Sequence, residues 1–488
     1  MSTYIPGAAG AASPSRPTTR SDDRLGLGLL IALVVGSIIG SGIFGLPQNM
    51  AAGASAGAIL IGWLITGIGM LALARVYQML ALRKPQLNNG IYAYARESAG
   101  HYVGFNSAWG YWVSAWIGNV GYLVAAFGAL GYFFPAFGDG NTAPAVAGAS
   151  AVLWLVHFMV LRGIRGAAVL NAVVTLAKVL PLLLFIVLVA TAFRVETFSL
   201  DFWGNAKLGS VLDQVKSTML VTVWVFIGIE GASVYSARAR QREDVGRATV
   251  IGFGATLLLL MAVSILSLGV LQQPELAGLK NPSMAGVLER AVGTWGAVLI
   301  YGGLIVSVGG GFLAWTLLAA ESLFSPASDG VMPSSLARQN ARGVPANALW
   351  LTSAMVQVFL LVALFFKASY LALISLSTAM ILLPYLFSAI YGLTLAARRE
   401  GSAASVHPSD LAVSAGATLY CVWLLYAAGP KYLLLSSLLY VPGALLFMWA
   451  RREKGARPFK GFEIGLAAVL LLLAVLAAYL LATGGLSL

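Results

Sequence analysis

Long apolar runs separated by short polar stretches repeat from one end of the chain to the other. Most run for about the 20 residues that cross the hydrocarbon core of a bilayer as a helix. Hydropathy predicts thirteen spans, at about 26–47, 57–82, 103–134, 146–162, 168–193, 217–237, 247–271, 294–322, 347–366, 369–396, 410–427, 431–450 and 462–482. Two of these runs are interrupted. The first carries Gly36-Ser37-Ile38-Ile39-Gly40-Ser41-Gly42-Ile43-Phe44-Gly45-Leu46-Pro47, four glycines followed by a proline. Glycine inside a helix costs roughly 0.5–1 kcal/mol against alanine, so a cluster at mid-span reads as a helix built to break. The freed N–H and C=O groups must then find partners or line a cavity. The sixth run carries Trp224-Val225-Phe226-Ile227-Gly228-Ile229-Glu230-Gly231, in which two glycines bracket an acid.

Paired, glycine-interrupted spans at corresponding places in two halves point to the binding site of a secondary transporter. Gly228 lies 188 residues after Gly40, which implies two five-helix units of similar length, about 25–193 and 217–396. Together they make a ten-helix core over 25–396, with accessory helices eleven to thirteen in 397–488. Residues 1–24 are rich in Ala, Ser, Pro and Thr and hold no apolar h-region, so they read as a disordered cytoplasmic tail rather than a cleaved signal.

Composition sharpens this picture. Of the 488 residues, 59% are hydrophobic and 10% charged, against about 25% charged in a soluble domain; the chain is expected to be an integral membrane protein. Its net charge of +12 could suggest nucleic acid, but the basic residues sit in alternate loops. With the N-terminus inside, the tail and cytoplasmic loops hold 21 Lys/Arg and the outer loops seven, the asymmetry of the positive-inside rule. Nucleic acid is therefore not an expected partner, and the thirteenth span puts the C-terminus outside. The single cysteine, Cys421, excludes an internal disulfide.

Few ionisable groups lie deep in the spans, and each is a functional hypothesis there. Glu230 follows the sixth-span break. Lys178, in Thr175-Leu176-Ala177-Lys178-Val179-Leu180-Pro181, is too central in the fifth span to snorkel; its ammonium could take the place of a sodium ion and donate to the carbonyls freed in the first helix. Arg75 is near enough to its span's end to snorkel. Trp224, Trp315 beside Gly309-Gly310-Gly311, Tyr111, Trp112 and Trp116 could face a cationic substrate, with packing the better reading for Trp112 and Trp116. Asn119 is a mid-membrane amide that needs a helix or a ligand as partner, and His157 reads as a core histidine. The stretch Leu87 to Glu97 reads as an interfacial amphipathic segment, either a connector or a gating element. No zinc spacing, P-loop or nucleophile elbow occurs in a convincing context, so no catalytic residue, metal or cofactor is expected.

Gly40-Ser41-Gly42-Ile43-Phe44, Tyr92-Ala93-Tyr94-Ala95-Arg96-Glu97 and Phe226-Ile227-Gly228-Ile229-Glu230 resemble signatures of the amino acid/polyamine/organocation transporter superfamily. Within it, Leu46-Pro47-Gln48-Asn49-Met50-Ala51, the run from Thr222-Val223-Trp224 to Gly231-Ala232-Ser233 and Gly343-Val344-Pro345-Ala346-Asn347-Ala348 are similar to the basic amino acid antiporters, closest to the bacterial arginine/ornithine exchangers. The resemblance implies an all-α polytopic fold with inverted five-helix repeats, broken first and sixth helices and alternating access. It implies that the backbone of Ser41 and Gly42 holds the substrate α-carboxylate and that carbonyls of Ile38, Trp224 and Ile227 take the α-ammonium. Ser114, Ala115, Asn119, Trp315 and Ser377 would line the side-chain pocket, with Trp315 stacked on the distal cation. Tyr111, Glu230 and Tyr385 would gate the cytoplasmic side, Trp224 would be the outer lid, and Lys178 matches the lysine that replaces sodium in proton-linked relatives.

The activity implied is exchange of external arginine for internal ornithine across a bacterial inner membrane. The partners implied are small basic amino acids and the lipid bilayer, and the resemblance is compatible with a homodimer. Proton-coupled lysine or arginine uptake and exchange of a basic amino acid for its amine are the alternatives within this class. A polytopic enzyme would need a convergent catalytic set, and a transporter-like sensor would normally carry a signalling domain; neither feature is visible in the sequence.

Overall fold

The computed structural model describes residues 26–87, 90–163, 167–230, 242–400, 407–457 and 459–486. The expected tail, Asn88-Asn89 and the second half of the sixth span from Gly231 on lie outside the described residues. The described residues are helical nearly throughout, and nine of their helices are long and apolar enough to cross a membrane. The protein is all-α and multi-pass.

The first span is broken where the glycines cluster. Helix α1 (Leu27–Ile38) ends at an extended Ile39 and Gly40; a 3-10 turn over Ser41–Gly45 follows, then a short α2 (Leu46–Ala51). Unbroken helices come next: α3 (Ala56–Arg83), the connector α4 (Gly90–Ala99), α5 (His101–Phe133), α6 (Ala143–Leu161) and α7 (Ala167–Ala192). After the short α8 (Val195–Ser199), the sixth span enters as α9 (Val211–Trp224) and gives way to turns over 225–230. Gly228 stands at φ 110° there, a backbone region that favours glycine. The seventh span is α10 (Arg242–Leu268).

The connection to the eighth span is not the plain loop that hydropathy suggests. It carries α11 (Gln273–Ala277) and an amphipathic α12 (Ser283–Val292), which buries Met284, Ala285, Val287 and Leu288. The remaining spans are α13 (Thr294–Ser328), α14 (Ala346–Phe366), α15 (Tyr370–Ala397), α16 (Asp410–Glu453) and α17 (Phe462–Ala482). The expected eleventh and twelfth spans form α16 together, kinked at Gly429 (φ 71°, ψ 170°) before Pro430.

Burial separates a centre from a periphery. Of the most apolar 18 residues of α5, 89% are buried in the protein and of α15 78%, against 33% for α6 and α14 and 11% for α17. A helix that hides its apolar surface in protein belongs to the core, and one that leaves it out must face lipid. Helix α5 packs on α13 and α15, which makes those three the scaffold behind the breaks. Polar side chains join neighbouring spans: Thr66 to Thr222 at 2.7 Å, and Trp112 Nε1 to Thr352 Oγ1 at 2.9 Å. Trp116 sits edge-on to Phe359, so Trp112 and Trp116 are packing residues.

His157 Nδ1 shares a hydrogen bond with Ser353 Oγ at 2.8 Å in the core as expected, though its Nε2 is buried without a hydrogen-bond partner among the described residues, and Arg75 is exposed. Ion pairs tie helix ends on the face expected to be cytoplasmic: Arg83 to Asp410, Lys84 to Glu400 at 3.2 Å, and Arg96 of α4 to Asp329 at 3.2 Å. The Lys84 ammonium beside Glu400 holds that exposed carboxyl below its usual range.

Candidate functional site

The two breaks face one cavity against α5. It is lined by Ile38, Gly40 and Gly42 from the first break, Trp224, Val225 and Ile227 from the second, Ser114, Ala115, Gly118 and Tyr122 from α5, and Trp315 from α13. Seven of the ten residues expected to bind substrate therefore meet around one space. Ser114, Gly118 and Tyr122 recur at four-residue intervals and share a helix face.

The cavity offers about 20 Å³ to the centres of water-sized molecules, room for roughly one water and too little for an amino acid. Its walls are drawn together around small residues. A Cβ on Gly42 would stand 2.7 Å from Trp224 Nε1, and one on Gly118 would stand 2.9 Å from Trp224 Cη2. The Trp224 ring also meets Tyr122 edge-on, with centroids 6.2 Å apart. Entry of a substrate requires these walls to part.

The other three expected residues sit just behind the lining. Ser377 of α15 donates to the Ser114 carbonyl at 2.7 Å and lies 3.2 Å from the Ser114 hydroxyl, clamping α15 to α5. Asn119 turns to α13, donating to Thr316 Oγ1 at 3.2 Å, and its Oδ1 is buried without a hydrogen-bond partner among the described residues. Ser41 is buried beside the lining glycines, and the hydroxyls of Tyr122 and Tyr370 face it.

Each break has its own stabilising group. Lys178 Nζ donates to the carbonyls of Gly36 and Ile39, both at 2.6 Å. These carbonyls lose helical partners because the chain turns extended at Ile39 and Gly40, and two charge-assisted hydrogen bonds replace them. At the second break the groups that meet are a carboxylate and two phenols. Tyr111 donates to Glu230 Oε1 at 2.9 Å, Tyr385 to Oε2 at 2.8 Å, and the Gly228 N–H to Oε2 at 3.1 Å. The Trp224 carbonyl already accepts a 3.3 Å turn bond from the Ile227 N–H, leaving one lone pair for a ligand. Tyr111 also reaches Trp315, with ring centroids 6.4 Å apart and planes at 36°, so the Glu230 cluster adjoins a residue of the cavity lining.

Sequence reasoning missed two lining side chains, Tyr122 and Val225. The Ser114-Gly118-Tyr122 stripe, two small residues and then an aromatic one on one face, is the signal that could have found Tyr122.

Two broken helices facing one cavity at the middle of a multi-pass bundle define a secondary transporter of the inverted-repeat class. The chain belongs to the amino acid permease family, which it matches over residues 25–441. It is 56% identical over 478 residues to the arginine/ornithine antiporter of Pseudomonas aeruginosa, covering 96% of this chain and 99% of that one. It is 45% identical over 503 residues to the L-lysine transport protein of Corynebacterium glutamicum, covering 99% and 98%. It is 43% identical over 477 residues to the arginine/agmatine antiporter of Chlamydia caviae, covering 95% and 98%.

Proposed function

We propose that this protein exchanges external arginine for internal ornithine across the inner membrane of a bacterium by alternating access, with its N-terminus inside, and is not an enzyme. The observation that carries the reading is one cavity lined by residues of both breaks, by α5 and by Trp315 of α13. Once its walls part, such a space suits an α-amino acid with a distal cation. The Ser41 and Gly42 backbone takes the α-carboxylate, Ile38, Trp224 and Ile227 supply carbonyls to the α-ammonium, and the face of Trp315 takes the guanidinium or ammonium. Ser114 and Ala115 border the side-chain pocket, with Asn119 and Ser377 shaping it from behind. Arginine and ornithine both carry one net positive charge near neutral pH, so exchange is electroneutral and runs on their opposed gradients.

Lys178 supplies the fixed positive charge that a sodium ion would otherwise bring to the first break. Glu230, Tyr111 and Tyr385 form the cytoplasmic gate, and Trp224 the outer lid. Residues 25–396 form the transport core as repeats 25–193 and 217–396, 397–488 are accessory, and a homodimer is compatible with this arrangement. Likeness to a lysine transport protein and to an arginine/agmatine antiporter keeps lysine uptake and arginine/amine exchange as the rival readings. Counterflow of labelled arginine into proteoliposomes loaded with arginine, ornithine, lysine, agmatine or no amino acid separates the three. Ornithine-loaded vesicles should take up arginine fastest and unloaded vesicles should take up almost none. Equal uptake by unloaded vesicles under a proton gradient would overturn exchange.

A further inference from the structure

Three buried hydroxyls converge on the start of the 3-10 turn at the first break, and the reading above uses none of them. Tyr122 of α5 lines the cavity, and its hydroxyl stands 2.7 Å from where a Cβ on Gly40 would be; it faces Ser41 and the Trp315 indole. Tyr370 of α15 faces Ser41 and Trp224 from the other side. Among the described residues, Ser41 Oγ and the Tyr370 hydroxyl are buried without a hydrogen-bond partner. Buried polar groups are nearly always paired, and each exception asks for a reason.

All three hydroxyls can donate as well as accept, and the polar groups they face include one another, the Ser41 backbone and the indoles of Trp224 and Trp315, which only donate. The ring of Tyr122 is fixed by Trp224 edge-on at 6.2 Å and by the close approach of Gly311, where a Cβ would lie 3.2 Å from the Tyr122 ring. Its hydroxyl is therefore held between Ser41 of the first break and the Trp315 indole. A carboxylate entering this cluster would give the O–H groups a stronger acceptor than the hydroxyls they offer one another, and O–H donation to a carboxylate is among the stronger hydrogen bonds.

Resting on the proposed amino-acid function, we infer that the Tyr122 hydroxyl donates to the substrate α-carboxylate beside Ser41 and so sets the preference for an α-amino acid over its decarboxylated amine. Tyr370 completes the cradle from α15. An amine such as agmatine, arginine without its carboxylate, offers these donors no acceptor, so it gains nothing from them.

The test is competition for labelled arginine on purified protein, with unlabelled arginine, ornithine and agmatine, for the parent, Tyr122→Phe and Tyr370→Phe. Phenylalanine keeps the ring and its packing and removes only the donor. Tyr122→Phe should weaken arginine and ornithine about tenfold, the scale of one hydrogen bond to a charged group, while agmatine stays within about twofold. The preference for arginine over agmatine then falls by about the same tenfold. Unchanged arginine affinity would overturn the inference, and so would an equal loss for arginine and agmatine, which would mark Tyr122 as a packing residue. Failure of the functional reading would show separately, as a parent protein that binds neither arginine nor ornithine; it would remove the carboxylate ligand and this inference with it.

Discussion

The two helix breaks solve one problem in two ways. At the first, the freed carbonyls of Gly36 and Ile39 are held by a cation on a neighbouring helix, Lys178. At the second, Glu230 is held by two phenols from two different helices and by the N–H of Gly228. An ammonium set between two carbonyls ties α7 to the end of α1 with two hydrogen bonds. A carboxylate shared by Tyr111 of α5 and Tyr385 of α15 depends on three elements staying in register, so a shift of any one of them rearranges it. We therefore propose that the first break is an anchor and the second a switch. A ligand moves such a switch only by its differential affinity for the two states.

The largest effect that could break this comparison is at the anchor. Lys178→Ala leaves two buried carbonyls unpaired, and with hydrogen bonds to charged groups worth about 1.5–3 kcal/mol each, arginine exchange in proteoliposomes should fall by about a hundredfold or more. A transporter that kept a tenth of its rate would not need the anchor. Folding should suffer less than transport, which size-exclusion profiles of the purified variant would check.

The next effect lies between the two breaks, at Trp315. Cation stacking contributes about 0.5–2 kcal/mol depending on desolvation, so Trp315→Leu should weaken arginine binding between about twofold and thirtyfold, with Trp315→Phe recovering part of the loss. Unchanged affinity for arginine and ornithine would make Trp315 a packing residue and move the distal pocket elsewhere.

Smaller still is the loss of one phenol at the switch. Tyr111→Phe should change exchange rate by about threefold to tenfold, the scale of a single hydrogen bond, and leave equilibrium arginine affinity within about twofold; a loss of affinity without a change in rate would put Tyr111 on the binding side. At the end of the scale, replacing sodium by choline should change nothing, because Lys178 supplies the charge. Collapse of uptake in choline would contradict that role.

Both breaks were legible in the sequence because a glycine cluster inside an apolar span weakens the helix at the depth where a continuous helix is otherwise needed. Lys178 and Glu230 stood out because charge inside a membrane is costly. Side-chain direction was harder to read. Asn119 was expected to face either a helix or the ligand; it bonds Thr316 across α5 and α13, a choice set by the rotation of two packed helices. Tyr122 escaped notice because an aromatic residue in an apolar helix is most often packing, and only its register with Ser114 and Gly118 brings it to the cavity. Ser283–Val292 was too short and too polar to register as a span, and it became ordered by burying one apolar face. The kink at Gly429 merges two expected spans into one element because the helix resumes at once after Pro430, with no polar loop between.

The division into anchor and switch is tested most directly by calorimetric titration of arginine into Glu230→Gln. The variant keeps the size of the side chain and removes its charge. If Glu230 governs cycling rather than grip, affinity stays within about threefold of the parent, under about 0.7 kcal/mol, in a protein whose exchange is slow. An affinity lower by two orders of magnitude would make Glu230 a direct ligand of the cationic substrate and contradict its role as the switch.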